Sequence, residues 1–441
     1  MLSLSALPAE LLLLIAGHLN SKDTLYLASC CQRFHPLLLP QVFSSLDLDI
    51  STLHLKGLIH TLTLDPNCAN ATRRLEINSV YRDPPHDIEC DYTMILPFLK
   101  QATSSSAELA QWEDDLRGES DRYDRGHIWV SMLLFLLPNL DTFVMEMPSF
   151  YIPMIVTRIT RGPTPTALSR LRELDVKYWH TKGGLGSSYI MPFFRLPSLR
   201  KVSGRRVWDG DSIEGIPSNE DYTGVSNVTH MNFECSNSPL GCPDMISASK
   251  ALKSFIYKHG DCVGDAALEP AQFYKSLCKH RDTLEEITVC CAVEYMTEDP
   301  VEDEFMGSFL DFKVLKKLRV RALNLTDLDD RVILANVLPA TLESLVIEDI
   351  DDCNTLDFIH SLEDLVRGSH CPGLVNLEVK GIIDMPREDP PSLSGGLGVN
   401  DPLPITWIIK PKYTEMTANL EKFCQNAGIR FRLRDAFAEY I

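Results

Sequence analysis

A chain of 441 residues exceeds one ordinary hydrophobic core, which predicts two or more domains or one extended repeat domain. Its composition, 44% hydrophobic and 23% charged, is that of a folded soluble protein and speaks against wholesale disorder. A formal net charge of −19 argues against nonspecific nucleic-acid binding, which needs clustered Lys and Arg, and against binding to anionic membrane surfaces.

The thirteen cysteines are scattered. Adjacent pairs occur at Cys30–Cys31 and Cys290–Cys291, but no Cys-x-x-Cys supplies the short-range ligand pairs of a structural zinc site. No metal or cofactor is therefore expected. Free thiols predict a reducing compartment, cytoplasmic or nuclear. The apolar run Leu11–Gly17 lacks a basic stretch before it and is too short to span a bilayer, so an intracellular chain is expected.

In chain order, Leu7–Leu48 comes first and reads as short helices. Pro8 suits a helix first turn, and Leu11, Leu14, Ile15 and Leu19 recur at helical spacing as one apolar stripe. Leu12 and Leu13 spill onto the other face, and a helix apolar nearly all round must be buried on more than one side. Asn20 or Ser21 can cap a second helix, with Asp23 in its first turn and Leu25, Leu27 and Ala28 on its apolar side. Cys31, Phe34 and Leu38 continue as a third stripe, and Pro36 and Pro40 punctuate the exit. The surplus apolar surface has two readings, a helical cap packed inside this chain or a face for a partner.

The order Leu-Pro-x-Glu-Leu, apolar helix, polar break, then Cys-x-Arg-Phe-His resembles an F-box. That resemblance implies a small all-α module over residues 1–50 that docks onto the Skp adaptor of a cullin–RING ubiquitin ligase of the SCF type. The matching positions are Leu7 and Pro8 at the entry, Leu11, Ile15 and Leu19 along the first helix, then Leu27, Cys31 and Phe34. The tryptophan often found late in the motif is absent, and His35-Pro36 occupies that neighbourhood.

Residues 51–441 carry a recurring signature, apolar-x-x-apolar-x-apolar. It appears at Leu140, Phe143, Met145; at Leu171, Leu174, Val176; and at Val228, Met231, Phe233. It returns at Leu252, Phe255, Tyr257; Leu284, Ile287, Val289; Leu315, Leu318, Val320; Leu342, Leu345, Ile347; and Leu374, Leu377, Val379. A degenerate copy lies near Leu199 and Val202, an early one is expected at Ile59, Leu62, Leu64, and a final alternation is Ile429, Phe431, Leu433. Successive starts lie roughly 24–32 residues apart, close to the period of leucine-rich repeats. The last two apolar positions of each copy share one face of a short strand, and stacked copies bury a continuous core. Segments such as Ile128–Leu137, Phe273–Cys278, Val332–Leu338, Thr355–Val366 and Thr417–Cys424 read as intervening helices. An α/β solenoid is expected, an irregular leucine-rich-repeat horseshoe with a curved parallel sheet. F-box modules followed by such repeats are common, especially among fungal proteins.

Two segments interrupt the pattern. About 103–125 is polar and is expected to be a mobile insertion, and about 387–404 is rich in Pro, Gly and Ser and reads as a surface loop. In such a horseshoe, residues between the buried strand positions face the concave side. Here they are Glu146, Glu173, Asp175, Lys177, Glu234, Lys258, Arg319, Arg321, Glu348 and Lys380, a possible substrate face. Acidic clusters follow nearby strands at Glu298–Asp299, Glu302–Glu304, Asp327, Asp329–Asp330 and Asp349–Asp352.

The expectation is an adaptor that recognises an unidentified protein substrate and carries no catalytic site. A ligase-independent repeat scaffold is the second reading. The remote third is a thiol enzyme using Cys290 or Cys291 with His280. No His-Glu-x-x-His, Gly-x-Ser-x-Gly or P-loop is present, and a cysteine alternating along a strand is far more often core or sheet surface.

Overall fold

The computed structural model of the protein describes residues 4–49, 55–78, 96–103, 105–117, 125–146, 151–161, 167–178, 183–210, 222–260, 268–291, 305–326, 334–350, 355–381 and 411–435. The chain divides into two compact units, one reaching Ala251 and the other beginning at Leu252.

The first unit opens with helices α1 (Ala9–Ala16), α2 (Ser21–Ser29) and α3 (Phe34–Val42). Asn20 caps α2, its Oδ1 accepting the Asp23 amide at 2.8 Å while its Nδ2 donates to the Asp23 carboxylate at 2.8 Å. That reciprocal pair satisfies a donor the helix itself leaves open. Leu12, Ala16, Ala28, Phe34 and Leu38 form the module's core, with Leu7, Leu27, Cys31 and Leu37 packed against it. Arg33 ties the entry segment down by donating to the carbonyls of Ser5 and Leu7.

Strand β1 (Ser45–Asp49) follows at once, so the end of the expected helical module is the first strand of a sheet. Helices α4 (Leu55–Leu64) and α5 (Pro66–Ala71) lead to β2 (Arg74–Asn78), a strand without a counterpart in the expected repeats. The early copy expected at Ile59, Leu62 and Leu64 lies on α4: spacings of three and two fit a helix there, with Ile59 and Leu62 buried and Leu64 exposed. Then come α6 (Leu96–Ala102), α7 (Ser106–Arg117), α8 (Arg125–Leu136), β3 (Thr142–Glu146), α9 (Tyr151–Arg161) and β4 (Glu173–Lys177). The expected polar insertion therefore contains helix α7, the described part of it between 105 and 117. Trp112 is buried at 1% exposure and Glu108 pairs with Arg158 of α9, which explains its order. The unit finishes with β5 (Leu185–Gly186), β6 (Lys201–Arg205), β7 (Val207–Trp208), β8 (His230–Ser236) and α10 (Gly241–Ala248).

Its main sheet runs β1-β2-β3-β4-β6-β8, all parallel, beside a small β5–β7 pair. One inward row is Leu46, Leu75, Phe143, Leu174, Val202 and Met231. The next is Leu48, Ile77, Met145, Val176, Gly204 and Phe233. Gly204 explains the degenerate copy: a Cβ there would meet Val207 at 2.6 Å and Phe233 at 2.9 Å, so the neighbouring side chains fill the missing position.

The second unit holds β9 (Ser254–His259), α11 (Pro270–Leu277), β10 (Glu286–Cys291), β11 (Lys317–Arg321), β12 (Ser344–Ile350), α12 (Thr355–Arg367), β13 (Asn376–Gly381), α13 (Pro411–Asn426) and β14 (Arg430–Asp435). These strands form a parallel sheet in chain order, β9 to β14. Phe255, Ile287, Leu318, Leu345, Leu377 and Phe431 make one register row, and Tyr257, Val289, Val320, Ile347, Val379 and Leu433 the next. The segment expected as a helix at Val332–Leu338 is described only from Leu334, where it is a short 3-10 turn, Leu334–Asn336.

A shared device sets the register. Before many of the strands, the preceding carbonyl accepts two consecutive amides of the next repeat: Asp141 from Arg172 and Glu173, Arg172 from Arg200 and Lys201, Lys253 from Glu285 and Glu286, Lys316 from Glu343 and Ser344. The repeat's first leucine then turns into the core, and Leu140, Leu171, Leu199, Leu252, Leu284, Leu315 and Leu342 are fully buried.

Candidate functional site

Two surfaces carry unspent chemistry. On α1 the buried residues are Leu12 and Ala16, whereas Leu11 is 45% and Leu14 62% exposed. The stripe with more leucines thus points outward. The reason is spacing: Leu12 and Ala16 alone suffice to close a small core with Ala28, Phe34 and Leu38. On α2, Leu25 and Tyr26 are likewise exposed while Thr24 and Ala28 face inward.

Of the residues expected at an adaptor face, Pro8, Leu11 and Leu19 are exposed and Ile15 is half-buried. Leu7, Leu27 and Cys31 are half-buried against the module's core. Phe34 corrects the expectation: at 4% exposure it belongs to that core and offers no surface. Leu13, Leu14, Leu25 and Tyr26 join the exposed set instead. The signal for them was the surplus of leucines over what one helix face can bury.

The second surface is the sheet face opposite the apolar rows. In the first unit it leans acidic, with Asp47, Glu76, Glu146, Glu173, Asp175 and Glu234 against Arg74, Lys177, Lys201 and Arg205. Lys177 is exposed and pairs with Asp175 at 3.3 Å; Glu234 is half-buried. In the second unit the same face leans basic. Lys258, Lys317, Arg319, Arg321, Lys380, Arg430, Arg432 and Arg434 stand against Glu286, Glu348 and Glu378.

Part of this basic face is an internal ion chain rather than open ladder. The Nε of Arg319 donates to the Glu348 carboxylate at 2.7 Å, Lys380 Nζ lies 3.3 Å from the same oxygen, and Lys380 also lies 3.9 Å from Glu378. Arg434 closes the chain on Glu378 at 3.6 Å. Arg321, Glu348 and Lys380, expected on a solvent-facing substrate surface, are all buried; Lys380 is 2% exposed. For Glu348 and Lys380 the cause is mutual neutralisation, which lets charges leave water in pairs. Glu348 lies where the β12–β13 register slips, between Ile347 and Ile350. Burial above all, and then the Arg321 charge, lower His259 to about 4.

Cys290 is fully buried, and burial, followed by the Glu348 charge, pushes its thiol well above the ordinary value. This is the reverse of nucleophile activation, which requires a depressed thiol pKa. Among the described residues no group of three or more His, Cys, Asp or Glu could hold a metal ion, and no helix is long and apolar enough to cross a membrane. The acidic clusters at 298–304, 327–330 and 351–352, and the loop at 387–404, lie outside the described residues.

A register of buried leucines on successive parallel strands, each preceded by a turn, defines a class of repeat protein. A family model of the leucine-rich repeat domain matches residues 158–385, just over half of the chain. The chain belongs to the leucine-rich repeat family. Together with the parallel sheets and helices, this fits an α/β solenoid-like fold, and such domains typically bind protein partners. No curated protein matches the chain.

Proposed function

We propose that the protein is a substrate-recognition adaptor of an SCF-type cullin–RING ubiquitin ligase. Its helical module docks the Skp adaptor and its repeats hold a target protein. The observation that carries this reading is the pair Leu11 and Leu14, left exposed on α1 after Leu12 and Ala16 have closed the module's core. Two leucines one turn apart on an open helix face suit a partner's apolar groove. The reading includes no chemistry on substrate, no cofactor, and a cytoplasmic or nuclear setting, to which the free thiols of the described cysteines are suited.

The test is co-purification of the full chain with a Skp adaptor. Leu11→Asp with Leu14→Asp abolishes capture while leaving the melting temperature within about 2 °C, because neither side chain contributes to the core. If the unaltered chain captures no Skp adaptor, the ligase reading is wrong and the ligase-independent interaction scaffold takes its place.

A further inference from the structure

Strand β14 pairs with β13 along one edge, and among the described residues no strand lies along the other. Its sequence alternates Arg430, Phe431, Arg432, Leu433, Arg434. Successive side chains of a strand point to opposite faces, so the three arginines fall on one face, about 6–7 Å apart. Arg434 is partly committed to Glu378 at 3.6 Å. Arg430 and Arg432 are exposed and meet no acidic side chain among the described residues. On a chain of net charge −19, a row of three cations at a sheet edge is a local reversal of sign.

Charges on an edge strand commonly guard it against indiscriminate pairing. A one-sign row does more. It repels a basic strand but complements one that presents carboxylates at the same spacing, and guanidinium binds carboxylate in a bidentate fork. The backbone along that edge supplies affinity, and the arginines supply selection.

We propose that the β14 edge receives an extended acidic segment of a target protein, with Asp or Glu at alternate positions beside Arg430, Arg432 and Arg434, as an added strand of the second unit's sheet. This rests on the reading of the repeats as the target-holding part and is independent of what the helical module binds.

The experiment is fluorescence anisotropy with the full chain and a labelled ten-residue peptide alternating Asp with Val. Saturable binding is expected, at least ten-fold weaker when Lys replaces Asp. It is also expected to be at least ten-fold weaker when alternate peptide nitrogens are methylated so that strand hydrogen bonds cannot form. Arg430→Glu with Arg432→Glu abolishes binding of the acidic peptide and gains binding of the Lys peptide. Should that variant not fold, Arg432→Gln and the methylated peptide test the same point. Equal binding by the methylated peptide means simple ion attraction and overturns the proposal. So does binding only when phosphoserine replaces Asp. Self-association of the unaltered chain that the two Glu substitutions dissolve would assign the edge to a second copy and also overturn it. Skp-adaptor capture measured on the unaltered chain and on the Arg-to-Glu variant separates the two readings. Its loss from the unaltered chain defeats the ligase function and leaves the edge untouched, whereas peptide failure with capture intact defeats only the edge.

Discussion

Glu348 is the residue on which most of the second unit's buried charge depends. It neutralises Arg319 and Lys380 at once, so Glu348→Gln leaves the buried Lys380 and the half-buried Arg319 short of a counter-charge. Such losses cost about 3–5 kcal/mol, and urea unfolding should show a shift of that size. Exchanging Arg319, Glu348 and Lys380 together for apolar residues of similar volume should cost less than the single change, because no charge is then stranded. His259 provides a pH signature. Its folded-state value is about 4, against about 6.5 when unfolded. Between these limits the unfolded chain holds the proton and the folded chain does not, so acid favours unfolding. The contribution is fully present above about pH 6.5, is lost progressively as the pH falls to about 4, and amounts to roughly 2–3 kcal/mol. His259→Gln should flatten the stability of the second unit across that window, as read by denaturation at pH 4.5 and 7. None of this was visible in the order of residues, because an ion chain across four strands depends on register.

At the scale of elements, the ends of the helices are well specified. Asn20→Ala removes the α2 cap and should lower the module's stability by about 1 kcal/mol in thermal unfolding. Between α13 and β14, the Ile429 amide donates to Cys424 at 2.8 Å and the Gly428 amide to Gln425 at 3.1 Å, with Gly428 at φ +74°. This is the pattern that closes a helix through a left-handed glycine. Gly428→Ala should cost about 1–2 kcal/mol and loosen the entry into β14. Asn20 was readable as a cap from its position before an apolar run. The direction in which α1 points was not. Leu11–Leu14–Ile15 is the richer stripe, yet Leu12 and Ala16 turn inward, onto the side where they share a core with Ala28, Phe34 and Leu38.

Across the whole molecule, stability is built repeat by repeat, and each strand meets only its neighbours in the ladder. Leu345→Ala in β12 should destabilise the second unit by about 2–5 kcal/mol. Hydrogen exchange should then speed up first in β11 and β13 and least in β9. Taken unit by unit, the polar sheet face leans acidic in the first unit and basic in the second. That difference directs the search for a target toward acidic segments for the second unit.

The strands of the repeats were legible because a buried row recurs in every copy: once Leu284, Ile287 and Val289 are seen, Leu315, Leu318 and Val320 are expected at the same three places. That periodicity is local and survives without knowledge of contacts. Three things were not local. Ser45–Asp49 became a strand because β2 lies beside it, although it follows a helix directly. The polar stretch around Trp112 became a helix because α8 packs beside it and Arg158 of α9 holds Glu108. Glu348 and Lys380 left the solvent because each found an opposite charge on an adjacent strand. Periodicity in the chain was enough to state which residues share a face, but burial and pairing are properties of neighbours distant in sequence, and they arose only when the strands came into register.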